Sequence, residues 1–111
     1  MSAKKKAIRD NFREAVFKRD KYKCVFCQCT TNLDAHHITD RNELPAGGYV
    51  LENGITLCPE HHQQAEVWHS TAGKDFVDGM KPDDLYKAIH GSRENAFLAS
   101  KKLEAKLNRA I

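Results

Sequence analysis

No apolar run in this chain of 111 residues approaches the roughly 18 that a membrane span requires. Nor is the Lys-rich start followed by the hydrophobic stretch of a secretory signal. The two absences give the expectation of a cytoplasmic protein without a membrane partner. Aromatic residues are sparse at 8% while charged residues reach 30%, a balance that excludes collagen-like and strongly disordered chains. Internal repeats and low-complexity segments are also missing, so residues 1–111 read as one globular domain. A domain this small buries a limited fraction of its surface, and a structural metal would supplement its core.

Cysteine is confined to four positions, Cys24, Cys27, Cys29 and Cys58. In a secreted protein four cysteines could form two disulfides. Here three are crowded within six residues, and the fourth stands near His61 and His62, neighbours that a disulfide scaffold does not require. Cys24 and Cys27, spaced C-x2-C, together with Cys58 and His61, spaced C-x2-H, supply the sulfur and imidazole ligands of a closed tetrahedral zinc site. Two alternatives stay open: Cys29 in place of His61, with a tighter C-x-C bite, or His36 as the zinc ligand with His61 free. Once four ligands are assigned, His36, His37, Asn53 and His62 remain, a polar set suited to metal-assisted attack on a phosphodiester.

The net charge of +3 hides an asymmetry. Residues 1–23 hold nine Lys or Arg against three acids, whereas the other 88 residues hold nine against twelve. A basic arm and helix leading into a less basic region is the distribution expected of a chain that tracks a phosphate backbone. A solvated tail and helix face would show the same pattern.

Residues 1–6 read as a flexible basic arm. Ile8, Phe12, Ala15 and Val16 then recur at helical spacing, with Arg9, Arg13 and Arg19 between them. Tyr22 to Cys29 forms a metal knuckle. Leu33 to Thr39 is a short strand, and Tyr49 to Leu57 contains a second one, interrupted at the turn-favouring pair Asn53-Gly54. The loop between them carries Pro45, Gly47 and Gly48 and is long enough to project. Pro59 suits the first turn of a helix running to about His69, on which His62 and Glu66 share a face. After a loop from Ser70 to Met80, Pro82 opens a helix through His90 capped by Gly91. Ser92 caps a last helix with an apolar stripe of Ala96, Ala99, Leu103, Leu107 and Ala110, which suits packing on the domain or, alternatively, a dimer seam.

From Phe12 to about Glu66 this order of residues resembles the HNH endonuclease family. The basic helix, Cys24-x2-Cys27, His36-His37-Ile38, Asn53-Gly54-Ile55-Thr56-Leu57-Cys58 and the closing His61-His62 all occur in sequence. The resemblance implies an α+β chain with a ββα-metal core over residues 7–69, carrying a zinc knuckle. An N-terminal basic helix and two C-terminal helices, within a 70–111 extension, would flank it. It also implies that His37 is the general base, a role imidazole fills because it titrates near neutrality. His36 and His62 would bind one catalytic divalent ion, and Asn53 would tie the loop to the strand that carries the histidines. Glu66 falls where many relatives have another His, and a carboxylate there favours Mg²⁺ or Mn²⁺. Asp34, on the strand face of His36, is a candidate to orient that ring. Asp40 and Arg41 are candidates to approach phosphates or to form a surface ion pair.

The expected activity is hydrolysis of DNA phosphodiester bonds, as a monomer or homodimer, with small phage or mobile-element nucleases as the nearest analogy. A non-catalytic zinc module that binds nucleic acid explains the cysteines and the basic start equally well, but not His36, His37 and His62 together. An RNA-directed nuclease is the other alternative, since such a core reads phosphate rather than base.

Overall fold

The computed structural model describes residues 3–109. Helix α1 spans Ala3–Arg19 and buries Phe12, Val16 and Phe17 along one face. It starts earlier than its apolar spacing suggests, so the expected arm is helical from Ala3 onward; Met1 and Ser2 lie outside the described residues. Two causes extend it. Ala and Lys are strong helix formers, and Lys6 pairs with Asp10 one turn on, at 2.7 Å.

Strands β1 (Asp34–His37) and β2 (Gly54–Leu57) pair antiparallel, with His36 opposite Ile55 and His37 opposite Gly54. Both are shorter than expected. After the Ile38 N–H bonds the Asn53 carbonyl at 2.9 Å, the Asn53 side chain takes both backbone groups of Thr39, and the ladder stops.

The sheet lies between α1 and helix α2 (Pro59–Ser70). Gly54 is needed for close approach rather than for a turn: its φ is an extended −118°, and a Cβ there would sit 2.3 Å from Val16 Cγ2. A clamp holds the same side. Arg19 donates to the Leu51 and Gly54 carbonyls at 2.9 and 2.7 Å and grips Asp20 through two nitrogens. Asp20 in turn accepts from the Thr56 N–H at 2.9 Å.

Residues 38–53 do not project as a free loop. They form short 3-10 turns at Arg41–Glu43, Pro45–Gly48 and Leu51–Asn53, and α4 (Arg93–Arg109) packs across the last two. Helix α4 buries Ala96 and Ser100 there; Ala110 of the expected stripe lies outside the described residues. The Ser92 hydroxyl accepts from the Asn95 N–H at 3.1 Å, as an N-cap does.

Helix α3 (Pro82–Ala88) sends Leu85 and Tyr86 into the core beside Ile38, Leu44, Ile55 and Leu57. It ends before His90, and His90 rather than Gly91 takes the left-handed conformation, at φ 58°. The Gly91 N–H then reaches the Tyr86 carbonyl and the His90 N–H that of Lys87, which closes the helix end. Among the described residues no helix is long and apolar enough to cross a membrane.

Candidate functional site

Two groups of metal-ligating side chains draw on α2, one through His61 and the other through His62 and Glu66. In the first, Cys24, Cys27, Cys58 and His61 place their ligand atoms within 4.8 Å of one another. Cys58 Sγ lies 3.2 Å from His61 Nδ1 and 3.6 Å from Cys27 Sγ, and Cys24 Sγ lies 3.7 Å from His61 Nδ1. Ligands bound to one zinc at about 2.0–2.3 Å are separated by about 3.5–3.8 Å, so this Cys3His group is compatible with a zinc site.

Cys29 is not a member of the group; its Sγ faces the Thr31 carbonyl at 3.9 Å. Its backbone serves instead, because the Cys24 N–H bonds the Cys29 carbonyl at 2.8 Å and folds the knuckle.

The Cys24 and Cys27 thiols are pulled in opposite directions. At Cys24 burial works upward, but backbone N–H groups of Cys58, Cys27 and Phe26 outweigh it and hold the thiol below its ordinary value. At Cys27 the Cys29 N–H works downward, yet burial and the neighbouring sulfurs of Cys24 and Cys58 push the thiol up to about 11. A cation among them removes that conflict, since bound sulfur is thiolate.

The second group is His36, His62 and Glu66. His36 comes from β1 on the face toward α2, and the other two come from adjacent turns of α2. Glu66 Oε1 lies 3.4 Å from His36 Nδ1 and 3.5 Å from His62 Nε2. His36 is 3% exposed. Burial, and then the neighbouring rings of His69, His62 and His37, push its pKa down to about 3, which keeps it in the neutral form a metal needs. Asp34 does not orient His36; its Oδ2 approaches His62 Nε2 at 3.3 Å, and Glu66 is the carboxylate that meets His36.

Alternation along β1 sends His37 to the opposite face. There its ring lies flat against Phe12, with centroids 4.5 Å apart, and Tyr49 meets it edge-on at 4.7 Å. Burial first, and then the Arg41 charge, lower its pKa to about 4, so the ring is neutral at pH 7. Its Nε2 is buried without a hydrogen-bond partner. The ring borders two clefts, so Nδ1 is the nitrogen able to meet solvent.

One cleft, about 320 Å³, is lined by the second metal group together with Asp40, Arg41 and His69. The other, about 670 Å³, runs along α1 past Lys6, Arg9, Arg13 and Arg41. His37 and Arg41 belong to both. Arg41 does not pair closely with Asp40: it donates to the Tyr49 hydroxyl at 2.9 Å, and Asp40 accepts from the Asn42 N–H.

Asn53 is fully buried, and its side chain uses every donor and acceptor it has. Oδ1 accepts from the Thr39 N–H at 2.9 Å and from the Tyr86 hydroxyl at 2.8 Å. Nδ2 donates to the carbonyls of Thr39 and Gly48 at 3.1 and 3.2 Å. Gly48 has φ +65°, and a Cβ there would lie 2.7 Å from that Nδ2.

Three residues gain importance that sequence reasoning passed over. His69 donates from Nε2 to the His37 carbonyl at 3.3 Å and faces Asp40 at 3.9 Å. It follows His62 and Glu66 along one face of α2, a spacing that could have flagged it. Arg19 serves the scaffold and not a ligand, and Tyr86 enters from α3; neither has a local signature. Comparison with protein-family models, curated proteins and solved structures gives no match to this chain.

Proposed function

We propose that the protein is a metal-dependent HNH endonuclease, with β1, β2 and α2 as a ββα-metal core, and that it hydrolyses DNA phosphodiester bonds. The observation that carries this reading is the meeting of a neutral, solvent-facing imidazole and a two-histidine, one-carboxylate group at a single cleft, with a basic trough alongside.

His37 takes a proton at Nδ1 from the attacking water. The water oxygen forms a bond to phosphorus, the bond to the 3′ oxygen breaks, and that oxygen leaves with a proton from solvent. The products carry 5′-phosphate and 3′-hydroxyl ends. Mg²⁺ or Mn²⁺ held by His36, His62 and Glu66 would supply Lewis-acid stabilisation of the charge on phosphate oxygens. Asn53 and Phe12 set the direction of the His37 ring, and the cations along α1 with Arg41 hold the flanking phosphates. The Cys3His zinc joins the knuckle to the start of α2 and takes no part in the chemistry.

Supercoiled plasmid incubated with Mg²⁺ or Mn²⁺, and with a chelator in excess, tests the proposal. Cleavage by the parent but not by His37→Ala is the expected result. A His37→Ala protein that cuts as well as the parent overturns the mechanism. Retention of DNA without any cutting identifies a zinc-containing binding module, and preferential cutting of RNA identifies an RNA-directed enzyme.

A further inference from the structure

We infer that Tyr86, from the C-terminal extension, is a positioning residue for the general base, acting through Asn53 and Thr39. The inference rests on the nuclease reading and deepens it.

The hydrogen bonds run in one direction. Asn53 Oδ1 carries no proton, so the Tyr86 hydroxyl must donate to it, at 2.8 Å. The Tyr86 hydroxyl has only that one proton to give. The 2.6 Å contact with Thr39 Oγ1 is therefore a bond that Thr39 donates and Tyr86 accepts. The relay is Thr39 to Tyr86 to Asn53, and all three side chains are buried.

Its consequence reaches His37 over a short path. Asn53 holds the Ile38 N–H with its carbonyl and the Thr39 N–H and carbonyl with its side chain. Those are the two residues that follow His37. Tyr86 occupies the remaining acceptor site of Asn53 and the hydroxyl of Thr39, so the turn leaving β1 has one arrangement with every buried polar group satisfied. Removing the hydroxyl leaves Thr39 Oγ1 without an acceptor and Asn53 half-anchored on one side, and the end of β1 gains freedom.

The experiment uses the full-length chain carrying Tyr86→Phe, Thr39→Val, both together, or Thr39→Ser, each checked for melting temperature and zinc content. We expect Tyr86→Phe and Thr39→Val each to lower kcat on a DNA substrate on the order of tenfold with KM unchanged, as a slightly displaced base would. The double variant should be no worse than either single one, because both break the same relay. Thr39→Ser, which restores the hydroxyl, should recover most of what Thr39→Val loses. An active parent whose Tyr86→Phe and Thr39→Val variants keep its kcat while melting lower overturns the inference alone, leaving Tyr86 as a packing residue. Additive losses in the double variant also overturn it. A parent that cleaves no nucleic acid with either ion overturns the nuclease reading and this inference together.

Discussion

His37 lies flat on Phe12, ring planes within 22° of parallel and centroids 4.5 Å apart, so the proposed base is aimed by a residue of the N-terminal helix. Phe12→Leu keeps most of the volume and removes the flat support. It should cost less than about 1.5 kcal/mol of stability, yet lower kcat by about 10- to 100-fold through misdirection of the ring. Urea unfolding beside plasmid kinetics separates the two effects. Equal activity in the variant would show that the stack is only packing.

The same burial sets an acid limit. Between its ordinary value of 6.5 and about 4, His37 takes up a proton in the unfolded chain but not in the folded one. Stability therefore rises with pH across that window and is lost as pH falls through it. A cation in the neighbouring group would push in the same direction. His37→Gln lacks this proton, so its stability should fall less steeply below pH 6.5, by up to about 1.4 kcal/mol per pH unit. Urea titrations at a series of pH values read the difference, and parallel curves would refute it.

Asp20 connects α1 to β2 through Arg19 and the Thr56 N–H, with its side chain 7% exposed. Asp20→Ala leaves both donors short of a partner and should cost about 2–3 kcal/mol. Zinc content should be unchanged, because none of the four ligands bonds to Asp20. Chemical denaturation and elemental analysis of one preparation check both statements.

Cys29 and Cys58 should behave oppositely. Cys29→Ser is expected to retain about one zinc per chain, since its sulfur lies outside the tetrahedral group, whereas Cys58→Ser should lose the ion and much of the cooperative unfolding transition. Zinc lost equally from both variants would bring Cys29 back as a ligand.

The sequence carried the parts of this molecule that depend on short spacings. C-x2-C and C-x2-H bring four donors into one cluster because each pair is local. The opposite directions of His36 and His37 follow from the period of a strand. Parts that depend on distant partners were hidden. The strands end where a side-chain amide replaces the ladder, and nothing around Thr39 or Tyr49 announces that. Arg19 reads as one more cation on a basic helix until the carbonyls of Leu51 and Gly54 are seen to occupy it. Asp34 shares a strand face with His36, but α2 brings His62 nearer to its carboxylate. The loop from Pro45 to Gly48 looks free because α4, which lies over it, is almost fifty residues away.

Cys58 follows β2 and stands at the N-cap of α2, so an ion shared with Cys24 and Cys27 would cinch a loop of about thirty residues that contains His36, His37 and Asn53. Metal uptake at such a site is coupled to folding. A zinc held there would tie the knuckle to the segment that carries His36, His37 and Asn53, so the folding of that segment would follow the supply of the ion.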